Sequence, residues 1–67
     1  MSEDADLDEV TVYYYDAPSQ DFSDIEKLTV TAEDYIAESA NGLTAIFPRE
    51  AVHTLLAGTE VDVEWVA

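Results

Sequence analysis

Sixteen carboxylates face two permanent cations, Lys27 and Arg49, in a chain of 67 residues, so the formal charge is −14 with His53 neutral. A fold built from this chain has almost no ion pairs available to it and must withstand its own repulsion, which only salt relieves. Stability then has to come from apolar burial. A chain this short buries only about 60% of the surface its unfolded form exposes, so the core is small. The apolar share of 48% is enough for such a core and too high for a disordered acidic segment.

The apolar residues recur at short intervals, separated by turn-forming residues, and no run approaches the roughly 20 residues of a membrane-spanning helix. Residues 1–8 hold four carboxylates and, besides Met1, one large apolar side chain; they read as a disordered acidic tail, with residues 9–67 forming a single small domain. Val10-Thr11-Val12-Tyr13-Tyr14-Tyr15 is β-branched and aromatic, with Val10, Val12 and Tyr14 on one face and Thr11, Tyr13 and Tyr15 on the other; it predicts a strand. Asp16 to Asp24, with Pro18 and clustered polar residues, reads as a long loop that Phe22 anchors to the core. A second strand is expected over Ile25 to Thr31.

Residues 31–42 admit two readings. As a helix, Thr31 is the N-cap, Ala32, Tyr35, Ile36 and Ala40 share a face, and Asn41-Gly42 ends it. As a hairpin, Asp34 to Ser39 is a strand, Asn41-Gly42 lies in the turn, and Leu43 to Phe47 returns. The hairpin is preferred. From Phe47 to Gly58, Ala51, Val52, Leu55 and Leu56 recur at helical spacing, with Pro48 and Glu50 suited to a first turn and Gly58 to the position beyond the last; a short helix is expected there. Thr59 to Val66 alternates Val61, Val63 and Trp65 against Glu60, Asp62 and Glu64, a strand with one wet face.

The expected fold is therefore mainly β: a small antiparallel sheet, or a partly closed barrel with one short helix before the last strand. In element order it is similar to small SH3-like barrels. The helical reading of 31–41 would instead make it an α+β fold, ββαβαβ. The expected core is Val10, Val12, Tyr14, Leu28, Val30, Ile36, Leu43, Ala45, Phe47, Val52, Leu55, Leu56, Val61, Val63 and Trp65.

The charge is not confined to the first residues. Without residues 1–9 the remainder keeps eleven acids against two bases, a net of −9. Direct binding of nucleic acid or anionic lipid is disfavoured, because Lys27 and Arg49 cannot track a phosphate backbone. In composition the chain resembles the small acidic cytoplasmic proteins of haloarchaea, which implies that the acids keep the surface hydrated in a high-salt cytoplasm. The acidic start, which lacks the basic region of a signal peptide, gives the same expected location.

Catalytic and metal-binding patterns fail at their required positions. Asp4-x-Asp6-x-Asp8 resembles the start of a calcium loop, yet the sixth and twelfth positions are Glu9 and Tyr15 where Gly and Glu belong. No cysteine is present, no Gly-x-Ser-x-Gly surrounds a serine, and two glycines cannot build a phosphate cradle. His53 is the one side chain that ordinarily titrates near neutrality, and its place beside the apolar stripe of the expected helix favours a surface role over catalysis. Neither an enzyme nor a cofactor is expected.

The triple tyrosine is the most informative unusual feature, since a strand sends Tyr13 and Tyr15 to the face opposite Tyr14. With Tyr14 inside, Tyr13 and Tyr15 become adjacent rings on an acidic surface unless the 16–24 loop covers them. Tyrosine combines large rigid contact area with a polar tip and is enriched at interfaces. Tyr13 and Tyr15, with Arg49 as a directional charge, are the expected contacts for a protein partner or a second copy of the chain. The competing reading is a small-barrel regulator of nucleic-acid machinery that acts through partner binding or mimics a polyanion with Glu60, Asp62 and Glu64.

Overall fold

The computed structural model describes residues 7–66. Among these residues seven strands form two sheets: β1 (Val10–Tyr14), β2 (Gln20–Phe22), β3 (Ile25–Val30), β4 (Asp34–Ser39), β5 (Thr44–Pro48), β6 (Val52–Ala57) and β7 (Asp62–Trp65), with a 3-10 turn, Arg49–Ala51, between β5 and β6. One sheet has the order β2-β1-β6 and the other β5-β4-β3-β7. All neighbours are antiparallel except β3 and β7, which run parallel. The fold is mainly β, and the two sheets do not close into a barrel.

The hairpin reading of 31–42 holds. Asn41-Gly42 turns the chain, with Gly42 at φ 95°, a conformation that a residue without Cβ adopts freely. The features that suggested a helix are present and serve a different turn. Thr31 Oγ1 accepts from the amides of Asp34 at 2.9 Å and Glu33 at 3.3 Å, as an N-cap would, while Thr31 N donates to Asp34 O at 2.9 Å and closes a tight turn into β4. Tyr35, Ile36 and Ala37 then find partners on both sides, in β3 and β5, which a helix would forgo.

The helix expected over 47–58 is corrected to the single 3-10 turn followed by β6. Val52 to Ala57 pairs along β1, and one extra residue, His53, is accommodated by a bulge opposite the Tyr13/Tyr14 step. Beyond the bulge Leu55 pairs with Val12 and Leu56 with Thr11, so the two leucines occupy opposite faces of the sheet. The spacing that mimicked a helix is strand alternation interrupted by this bulge.

The long loop also contains an unexpected strand. Gln20, Asp21 and Phe22 pair with Val12, Thr11 and Val10. Tyr14 Oη donates to Gln20 Oε1 at 2.7 Å, and Thr11 Oγ1 donates to Asp21 Oδ1 at 2.8 Å. Cross-strand side-chain bonds thus stabilise a segment whose composition is that of a turn. Leu7 and Asp8, read from sequence as the end of the tail, are bound into the fold: Leu7 O accepts from Glu60 N at 2.8 Å and Asp8 O from Ile25 N at 2.9 Å. The rest of the expected tail, residues 1–6, lies outside the described residues.

The inner faces of the sheets enclose Val10, Val12, Ile25, Leu28, Ala37, Phe47, Val52 and Val61, with Tyr14, Phe22, Tyr35, Ala45 and Leu55 packed around them. Ile25 and Ala37 are core residues that the alternation did not single out, Ala37 because it lies between Leu28 and Ala45 at the centre of its sheet. Four expected core residues, Leu43, Leu56, Val63 and Trp65, are exposed, and Ile36 is half-buried on the outer face. Leu43 sits in the hairpin connection and Leu56 faces outward beside the bulge. Val63 and Trp65 pair with the inward residues Leu28 and Val30, so they point to the inner side of the sheet; the three-stranded sheet ends at β6 and leaves them uncovered.

Candidate functional site

Two surfaces stand out, and both follow from which side of each sheet is covered. The first is the outer face of the three-stranded sheet. Thr11 and Tyr13 alternate outward along β1, Tyr15 follows just past its end with its N donating to Ala51 O at 3.3 Å, and Thr54 and Leu56 face outward along β6. Tyr13 is 41% exposed, Tyr15 65% and Leu56 55%. The bulge adds the His53 ring, whose centroid lies 5.2 Å from that of Tyr15 in an edge-to-face arrangement at 71°. His53 Nδ1 is also 2.7 Å from Thr54 Oγ1. Two phenols, an imidazole and a leucine therefore form one amphipathic face.

The 16–24 loop does not cover this face. Phe22 turns to the inside, its ring centroid 5.2 Å from that of Phe47. This contact bridges the side of the molecule where β2 approaches β5. Tyr13 and Tyr15 are where the alternation of β1 predicts them, while His53 and Leu56 join them because the helix expected over 47–58 is a strand. The signal for that was present in the β-branched residues Val52 and Thr54, but the bulge disguised its period.

Arg49 is not part of this face. From the 3-10 turn its guanidinium carbon lies 5.6 Å from the Tyr35 ring centroid, and Nη1 donates to Thr31 O at 2.7 Å. Arg49 N donates to Glu33 O at 2.9 Å. The side chain joins the turn before β4 to the turn after β5, in the four-stranded sheet, whereas the tyrosines belong to the three-stranded one. The three residues singled out from sequence are thus divided, Tyr13 with Tyr15 on one face and Arg49 at a junction elsewhere.

The second surface is the open seam between β6 and β7, where a recess of about 240 Å³ receives Leu28 and Val30 from β3, Leu55 and Ala57 from β6, and Val63 and Trp65 from β7. Trp65, 72% exposed, stands at its mouth. On the other side of β7, Asp62 and Glu64 point outward. Lys27 meets Glu64 there, Nζ to Oε1 at 2.9 Å, and the hydrogen bond and charge of Glu64, aided by Glu38 and Asp62, raise the ammonium above its ordinary pKa of 10.5. Asp62 and Glu64 are two of the three acids in the expected ladder; Glu60 lies in the turn that precedes the strand.

Among the described residues no three His, Asp or Glu side chains converge as a metal site would require, and no helix is long and apolar enough to cross a membrane. No family model, curated protein or solved structure matches the chain.

Proposed function

We infer that this protein is a small, non-enzymatic interaction domain working in a high-salt cytoplasm, with the outer face of the three-stranded sheet as its contact for a protein partner or a second copy. The observation that carries this reading is the shared face of Tyr13, Tyr15, His53 and Leu56. Aromatic rings with polar tips bury large area with little loss of side-chain freedom, and His53 restrains Tyr15 before any partner arrives. The surrounding carboxylates give encounter its salt dependence and reject acidic partners. High salt screens the repulsion that the folded body would otherwise suffer.

The reading as a regulator of nucleic-acid machinery through acidic mimicry rests on the exposed Glu60, Asp62 and Glu64. It is the weaker of the two, because Lys27 already engages Glu64 and reduces the charge of the ladder. One experiment separates them: affinity capture from lysate of the source cells, paired with sedimentation velocity for self-association. The double variant Tyr13→Ala with Tyr15→Ala abolishes complex formation if the tyrosine face is the contact. Loss only on neutralising Glu60, Asp62 and Glu64 transfers the function to the ladder. Complexes indifferent to both sets of substitutions overturn both readings.

A further inference from the structure

We propose that the open seam beside β7 is a strand-addition site for an extended segment of a partner protein in which apolar residues alternate with Lys or Arg. This surface is distinct from the tyrosine face and does not depend on it. Three features of the seam converge on that occupant.

The first is an unpaired backbone edge. β7 is the terminal strand of its sheet, and among the described residues no strand lies along its far side. Val66 N donates to Val30 O at 2.8 Å, toward β3. Successive residues of a strand aim their amides in opposite directions, so Trp65 and Val63 direct both N–H and C=O away from β3 to the open edge. Exposed edges of this kind template a further strand, and natural sheets ordinarily blunt or cover them.

The second is a receptacle for alternate side chains. A strand added at this edge places every second residue on the inner side, over the recess between Val63, Trp65, Leu55 and Ala57. Small branched apolar side chains fit that volume and cover Trp65. At the opposite side of the molecule a second recess, of about 430 Å³, lies between β2 and β5, and there the Phe22–Phe47 contact bridges the sheets.

The third is charge. The remaining side chains of the added strand lie on the outer side, beside Asp62 and Glu64, with Lys27 of β3 the cation that already meets Glu64 from the other flank. Basic residues are matched there and acidic ones repelled. The same charge disfavours the two other occupants. A second copy pairing β7 to β7 would set Asp62 and Glu64 against their own equivalents, and residues 1–6 of this chain bring Glu3, Asp4 and Asp6.

The test uses the full chain at the lowest salt that keeps it folded and an end-blocked hexapeptide alternating valine and lysine. Trp65 is the single tryptophan, so its fluorescence reports this site alone. The expected result is a saturable blue shift, binding that weakens as salt rises, and amide NMR shifts centred on Val63 and Trp65. Trp65→Ala should weaken binding, followed by NMR, by about tenfold or more. Tyr13→Ala with Tyr15→Ala should leave it intact. N-methylation of one alternate set of peptide amides should abolish binding and of the other set should not, the sensitive set reporting strand direction. Equal effects of the two sets, shifts centred on the tyrosine face, or no saturable response overturn the proposal. A Trp65 shift that follows protein concentration alone and accompanies a dimer mass assigns the seam to a second copy. A red shift on deleting residues 1–6 assigns it to the chain's own first residues. Either overturns the proposal.

Discussion

Lys27 Nζ lies 2.9 Å from Glu64 Oε1, and this ion pair spans the one parallel ladder among the described residues, between β3 and β7. It joins the start of the second long strand to the last strand of the chain, on the outer side of a sheet whose inner side is open at the same place. Its two side chains are 40% and 55% exposed, so it restrains β7 more than it stabilises the fold. Glu64 raises the Lys27 pKa above 10.5, chiefly through the hydrogen bond and then through its charge. The stabilisation is complete below pH 10.5 and is lost as pH rises through the higher folded value. Glu64→Gln is therefore expected to lower stability below pH 10.5 and to flatten the alkaline decline, measured by urea unfolding across that range. An unchanged alkaline limb would show that the pair contributes nothing to folding.

Arg49 holds two turns together through its planar fork, which a lysine cannot reproduce. Arg49→Lys loses the geometry that places the guanidinium over Tyr35 while Nη1 meets Thr31 O. The expected cost is about 1 to 2 kcal/mol, from the lost cation–π contact and charged hydrogen bond. Equilibrium unfolding of Arg49→Lys and Arg49→Ala should give similar destabilisation. Full rescue by lysine would mean that charge alone is the contribution.

Leu28 and Trp65 are both large apolar residues on the inner side of the same sheet, and their environments are opposite. Leu28 is 2% exposed and Trp65 72%. Leu28→Ala is expected to cost about 2 to 5 kcal/mol. A chain of this size has only about 3 to 10 kcal/mol in total, at 0.05–0.15 kcal/mol per residue, so that variant is near the limit of folding. Trp65→Ala should change stability by about 0.5 kcal/mol or less, as for an ordinary surface position. A loss at Trp65 comparable to that at Leu28 would mean that the seam is closed in solution.

Salt should raise stability. Between 0.1 M and 1 M the screening length falls from about 10 Å to about 3 Å, which removes much of the repulsion between carboxylates on neighbouring strands. The thermal midpoint is expected to climb on going from low to molar KCl, and to climb less in a variant with Glu60, Asp62 and Glu64 neutralised. A flat or falling midpoint would remove the basis for the high-salt reading.

Much of the fold was legible because period-2 alternation is a local property. Val10 to Tyr14 shows its inward and outward sets directly, and the turn chemistry of Asn41-Gly42 locates a hairpin. The same locality explains why Tyr13 and Tyr15 could be placed on one exposed face before any partner strand was known. The errors arose where pairing outweighed local pattern. Gln20–Phe22 becomes a strand because β1 offers it a ladder and two side-chain hydrogen bonds, neither visible in a turn-like composition. Val52–Ala57 reads as helical because one bulged residue breaks its alternation, and only the register against β1 reveals the interruption.

The sequence by itself determined the balance of forces: a mainly β chain with a small apolar core, a net charge of −14, and a pair of tyrosines turned to one side. Tertiary structure alone decided which apolar residues become core. Alternation assigns Val63 and Trp65 a side of their strand but cannot say whether anything covers that side. Coverage depends on where the opposing sheet ends, and it ends at β6. Likewise Arg49 could be read as a free directional charge until the fold brought Thr31 and Tyr35 to it from 18 and 14 positions away. Side-chain direction is written in neighbouring residues, whereas burial and partnership are set by distant segments that only folding brings together.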